Sequence, residues 1–480
     1  MTTPTPHQPA LAPPPSYAGP RRSLILAGGG MRLAYQAGVL LALEEAGLCF
    51  AHADGTSGGI FNLGMLFSGL PPTAMCQRWS TLRVHDFVSY LPVRQYLHPL
   101  RLPAFASLAG LRDKVFPHLG IEAGRINQAV GMAGTFNVCN YSLKTNEAIA
   151  HQAVTYPHLL AGVSLPMLMP AVQIGPHWYT DSVWVKDANL MEAVRRGAEE
   201  LWVVWAIGNI PTYRAGAFNQ YVHMIEMSAN GVLFEELAMI RTLNERIARG
   251  DSPYGQRQPV VLHVIKPRYP LPLDPDLYFN RIDNATLVER GYADARHYLG
   301  ALPAGGVALA PSCTQMLDQG TTLALRLRWQ GTIGVGAGPP YTSLLLYLAV
   351  QDVAAFAAGA DEVVVLSGRL EGPAYPDGAL LHAPTLSRTA RADGRPLWVF
   401  RFRLGVGPAA CVLEGEWQPA SRTMHLRAWP VASPRPAAST GSVHLGLRAW
   451  LRLRRGGHIG NTGLLGQLRA RYLFTRLLTR

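Results

Sequence analysis

Two glycine-rich turns, each preceded by a short apolar run and followed by a helical pattern, constrain the fold of this chain more than any other feature. The run Ser23–Ala27 (SLILA) leads into Gly28-Gly29-Gly30, which predicts a buried strand leaving a sheet through a tight turn. Tyr35, Val39, Leu40, Leu43 and Ala46 then fall on one helical face, and Gly47 stands where a C-cap belongs. The pattern repeats at once: Cys49–Ala53 suits a second strand, Gly55–Gly59 a sharp turn and Ile60–Leu66 the body of another helix. Such a β-α-β-α opening predicts an α/β domain with a mostly parallel sheet. Farther on, Leu201–Ile207 and Val260–Ile265 suit buried parallel strands. Between them Leu233, Leu237, Ile240 and Ile247 mark a helix, with Asn244 the polar exception in its stripe.

After Leu302-Pro303-Ala304-Gly305-Gly306 the texture changes to strict alternation, as in LALRLRW (323–329), LWVFRFR (397–403) and TMHLRAW (423–429). Period two predicts half-buried antiparallel strands. The expected division is a disordered Pro-rich leader at 1–20, an α/β domain at 21–300, a linker at 301–311, and a β-rich accessory domain at 312–480. At 480 residues the chain exceeds what one core supports, in keeping with two domains. The accessory domain ends in nine arginines from Val431 onward with no Asp or Glu, and Thr462–Leu478 suits a basic amphipathic helix.

The net charge of +12 favours anionic partners, a membrane surface or nucleic acid, or else a solvated arginine-rich surface. Aromatic and apolar residues within the basic tail, including Trp450, Leu451, Leu453, Tyr472, Leu473 and Phe474, suit an anionic lipid surface, and no nucleic-acid motif accompanies them. Two stretches without charged side chains, 55–77 and 148–180, are too broken by proline to span a bilayer. Cys49, Cys76, Cys139, Cys313 and Cys411 follow no metal or disulfide spacing, which fits a reducing, cytoplasmic setting with peripheral membrane contact. No cofactor and no metal, calcium included, is expected.

Gly55-Thr56-Ser57-Gly58-Gly59 matches G-x-S-x-G, the strand-to-helix elbow whose small neighbours (Gly55, Gly58, Gly59) let a serine stand exposed on a strained turn. Acyl transfer builds negative charge on a carbonyl oxygen, and preorganised main-chain amides are suited to hold it. Gly28, Gly29, Gly30, Met31 and Arg32 can supply such a loop, since glycine allows close approach to the backbone. A dinucleotide loop would need glycine at 33, where the chain has Leu33.

The blocks GGGMRLAYQAGVL (28–40), GTSGG (55–59) and SLPMLMPAVQIGPHWYTDSV (164–183) resemble, in order, the three signature blocks of patatin-like phospholipases. The resemblance implies a three-layer α/β/α fold with a mostly parallel sheet, and cleavage of lipid acyl esters by a phospholipase A, lysophospholipase or esterase reaction. It also implies an oxyanion hole from the backbone of Gly28, Gly29, Gly30 and Met31 with Arg32 closing the loop, Ser57 as nucleophile and Asp181 as general base. The family has glycine where this chain has Leu33 and Ser182, and the second difference bears on how Asp181 is presented. Met167, Leu168, Met169, Trp178 and Tyr179 suit either core packing, the default, or an acyl-chain site. The β-rich part faintly resembles a segment attached to cholesterol-oxidase-like flavoproteins and some lipid hydrolases.

Three alternatives stand beside this reading. A Ser-His-Asp hydrolase could draw on His263 or His297. Asp54 and Asp187 are other carboxylates that could serve as the acid. A catalytically silent lipid-binding or scaffold protein on the same fold is the second functional class.

Overall fold

The computed structural model describes residues 5–98, 101–271, 283–303, 305–335, 339–360, 363–390, 394–405, 410–419, 421–432, 439–454, 458–460 and 464–479. The chain divides into two compact units, one of residues 1–278 and 291–318, the other of residues 279–290 and 319–480. All of 301–311 falls in the first unit.

The first unit is built on an eight-stranded sheet whose strands are β1 (Arg22–Leu26), β2 (His52–Thr56), β3 (Ala133–Asn140), β4 (Thr145–Ala150), β5 (Val172–Ile174), β6 (His177–Thr180), β7 (Glu200–Val204) and β8 (Val261–Ile265). Their order is β5-β6-β3-β2-β1-β7-β8, with β4 also on β3. From β3 to β8 the neighbours run parallel, while β4, β5 and β6 form an antiparallel margin. Beside β1 the strand order changes direction, and ligands of open α/β sheets bind at the carboxyl ends of strands at such a point.

β2 begins three residues later than its apolar signal suggests and carries pairing through Gly55 and Thr56. Gly55 therefore belongs to the strand, and the turn starts at Ser57. Helix α1 (Ala34–Glu45) is buried on every side from Ala34 to Leu43, so its expected one-sided stripe understates its burial. It packs beside the helix Pro72–Thr81, where the Cys76 thiol bonds the Ala37 carbonyl at 3.3 Å. Helix α2 (Gly59–Phe67) is buried throughout and follows β2 directly. The long helix Ala217–Ala248 buries Leu233, Leu237, Ile240 and Ile247 in one core with strand residues such as Val203 and Leu262. Asn244, the polar exception, bonds both the carbonyl and the amide of Val260, at 2.9 and 2.7 Å, and so ties the helix to the start of β8.

The leader departs from expectation. The His7 ring lies 2.9 Å from the Phe67 carbonyl, Val130 donates to the His7 carbonyl at 2.9 Å, and Phe50 donates to that of Leu11 at 2.8 Å. Leu11 is buried. Residues 5–20 are thus held by anchors that composition does not reveal.

In the second unit β9 (Thr322–Ile333), β10 (Tyr341–Val350), β11 (Val364–Gly372), β12 (Tyr375–Ala390), β13 (Pro396–Leu404), β14 (Cys411–Trp417), β15 (Thr423–Pro430) and β16 (Ser439–Leu445) pair antiparallel in sequence. β9 pairs with both β10 and β16, so the sheet closes into a barrel-like form, and β17 (His458–Gly460) adds to β9. Closure removes the unpaired rims that an open sheet would present. Along β9, buried Leu323, Leu325, Leu327 and Trp329 alternate with Arg326, Arg328 and Gln330. Trp329 and Trp398 meet Trp417 edge-on, with ring centroids 5.4 and 5.6 Å apart. Cross-strand pairs such as Arg401–Glu414 at 2.5 Å and Arg427–Glu416 at 3.2 Å compensate charge on the other face. Of the basic tail, the helix Leu464–Thr479 buries Ala470, Phe474 and Leu478 and exposes Leu465, Leu468 and Tyr472. Thr462 and Gly463 lie outside the described residues. No described helix is long and apolar enough to cross a membrane.

Candidate active site

Ser57 follows the last residue of β2 and adopts φ +52°, a left-handed conformation that is uncommon for a residue with a side chain. Packing imposes it. A Cβ on Gly59 would stand 2.0 Å from the Leu26 carbonyl oxygen, and one on Gly58 would stand 2.5 Å from a methyl of Leu33. Only glycine at these two positions lets α2 start flush against β1 and the first glycine turn. Leu33, where the family has glycine, fills the space between the turns: its side chain abuts Gly29 as well as Gly58, and it is fully buried.

Asp181 follows β6, which pairs with β3, which in turn pairs with β2. This path brings together two residues 124 positions apart, and Ser57 Oγ donates to Asp181 Oδ2 at 2.7 Å. The other carboxylate oxygen accepts from the Val183 amide at 2.9 Å, and the Asp181 amide donates to the Ser164 carbonyl at 3.1 Å. Burial pushes the Asp181 carboxyl up to about 7, against the lowering effects of the Ser57 hydroxyl and the Val183 amide. A carboxylate of that basicity suits proton abstraction near neutrality.

Ser182 is fully buried, and its hydroxyl donates to Asn146 Oδ1, away from the Asp181 carboxylate. The bond extends into a network. Asn146 and Asn189 both donate to Asn137 Oδ1, at 3.0 and 2.8 Å, and Asn137 donates to Asp54 Oδ1 at 2.7 Å. Asp54, also raised to about 7 by burial, accepts from Thr135 as well and does not bond Ser57. It anchors β2 to β3.

The glycine turn lies beside the nucleophile. Arg32 Nε donates to the Gly29 carbonyl at 2.8 Å and closes the loop. Gly29, Gly30 and Arg32 line one pocket with Ser57, and Gly30, Met31 and Gly58 line a second pocket with Ser57 and Asp181. Gly28 differs from its neighbours. Its amide faces the two carboxylate oxygens of Asp187, each at 3.1 Å, so Gly28 is turned toward Asp187 rather than toward an incoming oxyanion. Asp187 is buried and its carboxyl is raised well above the ordinary range, first by burial and then by Asp181, with the Gly28 amide and Arg32 opposing. Sequence reasoning named Asp187 only as a rival acid. Its position six residues past Asp181 carries no local pattern that would reveal the contact with Gly28.

The histidines weighed as a third partner stand elsewhere. His263 stacks on Trp202 with centroids 4.2 Å apart and contacts the Tyr298 hydroxyl at 3.0 Å, and His297 is exposed. Of the apolar residues near Asp181, Leu168 and Met169 line the pockets, Tyr179 is buried, and Met167 and Trp178 are exposed, so simple core packing describes only part of the group.

The family model for patatin-like phospholipases matches residues 24–194, a span that holds both glycine turns and Asp181. No curated protein matches the chain. Residues 24–194 are accordingly a patatin-like phospholipase domain, from a family of lipid acyl hydrolases.

Proposed function

We propose that the chain hydrolyses acyl esters of lipids through a Ser57–Asp181 dyad. The observation that carries this reading is the 2.7 Å bond from Ser57 Oγ to a buried carboxylate whose proton affinity is raised. As Oγ attacks the ester carbonyl, its proton passes to Asp181 Oδ2, and the amides of Gly29 and Gly30 hold the developing oxyanion. Collapse of the tetrahedral species breaks the carbon–alkoxy bond, and Asp181 returns the proton to the leaving oxygen. Water, deprotonated by Asp181, then attacks the acyl-Ser57 carbonyl and releases the acid and the free hydroxyl.

The silent-scaffold alternative draws on Ser182 and on the large accessory domain; of the two, the direction of the Ser182 hydroxyl, toward Asn146, favours the active reading. Labelling with a fluorophosphonate probe tests it: Ser57 should carry the adduct, and Ser57→Ala should lose at least about a thousandfold in ester hydrolysis. Unlabelled Ser57 together with undiminished turnover in the alanine variant would remove the proposal.

A second part of the proposal concerns partners. Leu465, Leu468 and Tyr472 are 83%, 54% and 64% exposed on the helix Leu464–Thr479, beside exposed Arg469 and Arg471. Apolar side chains flanked by arginine suit peripheral contact of a cytoplasmic protein with an anionic bilayer, with no nucleic acid involved. Co-sedimentation with phosphatidylserine vesicles should exceed that with phosphatidylcholine vesicles and fall in Leu465→Ser/Leu468→Ser. Equal sedimentation of both proteins with both lipids would refute the contact.

A further inference from the structure

Two pockets meet at Ser57, sharing Gly30, Leu165 and Leu168. Their walls differ. One contains Asp181 together with Phe61, Phe87, Val88 and Leu111. The other contains Gly29 and Arg32 together with Ile207, Val222, Ile225 and Glu226, and lacks Asp181.

The chemistry of the dyad makes the two sides inequivalent. The tetrahedral carbon attached to Ser57 Oγ carries an oxyanion, an alkoxy group and an acyl chain. Asp181 must deliver its proton to the alkoxy oxygen, so that oxygen has to lie within hydrogen-bond reach of Asp181. The oxyanion is directed to the glycine loop, and the acyl chain takes the remaining direction.

We infer that the pocket beside Asp181 receives the alcohol part of the substrate, and the pocket beside Gly29 receives the acyl chain. This assignment rests on the dyad reading above and deepens it to a substrate class. Among the described residues lining the Asp181 pocket there is no Lys, Arg or His, and the one charged group is the acid itself. A phosphate-bearing alcohol would set its anion among phenylalanine and aliphatic side chains, next to a carboxylate, at a large desolvation cost. The substrate is accordingly a neutral ester whose alcohol is apolar, of the fatty-alcohol or glyceride kind, rather than a phospholipid.

Two ester series test the division in the full-length protein: acyl chains of increasing length on one short alcohol, and alcohols of increasing length on one short acid. Val222→Trp should lower kcat/KM at least about tenfold for the long acyl chains and spare the long alcohols. Val88→Trp should do the reverse. Both positions are partly exposed, and Val222→Ala and Val88→Ala provide a second pair that should shift each preference toward longer chains without crowding. Lysophosphatidylcholine should be cleaved at least about tenfold more slowly than a fatty-alcohol ester of the same acid. Crossed effects, equal effects on both series, or equal cleavage of the phosphate-bearing ester overturn the assignment. Ser57→Ala separates this failure from a deeper one: if that variant still cleaves both series, the dyad itself is wrong.

Discussion

Both carboxylate oxygens of Asp187 lie 3.1 Å from the amide nitrogen of Gly28, and a Cβ at position 28 would stand 2.2 Å from one of them. The contact holds the first residue of the glycine loop against the segment that follows Asp181. Burial and the neighbouring Asp181 both raise the Asp187 carboxyl and so disfavour its charged form, which makes the neutral asparagine side chain its closest mimic. Asp187→Asn should therefore retain most of the activity. Asp187→Ala, by freeing the loop, should lower kcat by roughly tenfold to a hundredfold with little change in KM. Steady-state kinetics of the two variants decide this, and equal losses in both would count against a positioning role.

The pH dependence follows from Asp181. Its carboxyl is raised to about 7, chiefly by burial, and it must be deprotonated to accept the serine proton. Lowering the pH through about 7 protonates it, so kcat/KM should fall by about tenfold per unit on the acid side and level off above. Asp181→Asn should abolish the reaction at every pH. A flat profile between pH 5 and 8 would show that another group controls catalysis.

Ser182→Gly restores the residue that the family has after the aspartate. It removes the bond to Asn146 and leaves a partly buried acceptor without that donor. We expect about 1–2 kcal/mol of lost stability with activity largely kept, read from urea midpoints and from ester hydrolysis of the folded protein. A loss of turnover with unchanged stability would place Ser182 in the chemistry instead.

Gly59→Ala should be far more damaging. Its new methyl would sit 2.0 Å from the Leu26 carbonyl oxygen and 2.8 Å from the carbonyl carbon, both main-chain atoms with little room to move. A cost of at least about 3 kcal/mol is expected. Chemical denaturation measures it, and a wild-type midpoint would mean that β1 and α2 are less tightly apposed than described.

Much of the site was legible because its parts are local. The glycine turns, the strands that enter them and the helices that leave them each occupy a few consecutive residues, so periodicity and turn chemistry expose them. The end of β2 is set too early by the sequence because Gly55 reads as turn material, although the strand pairs through Thr56 and the backbone changes hand only at Ser57. Asp187 escaped because its meaning lies in a contact 159 residues away along the chain. The packed leader escaped for a related reason, since His7 and Leu11 act singly within an otherwise proline-rich stretch. In the second unit alternation announced strands, but closure depends on His444 and Leu445 pairing with Gln330 and Trp329, which no local pattern encodes.

Nucleophile and acid are both measured off one strand. Thr56, just before Ser57, pairs with Asn137, and Thr180, just before Asp181, pairs with Cys139 two residues along β3. That strand is in effect a ruler with two marks. Adding or removing a residue between them would shift one group against the other by about 3.3 Å while every signature residue stayed in place. A relative could thus keep all three motifs intact and still be inert, through a change of length in a segment that carries no chemistry of its own.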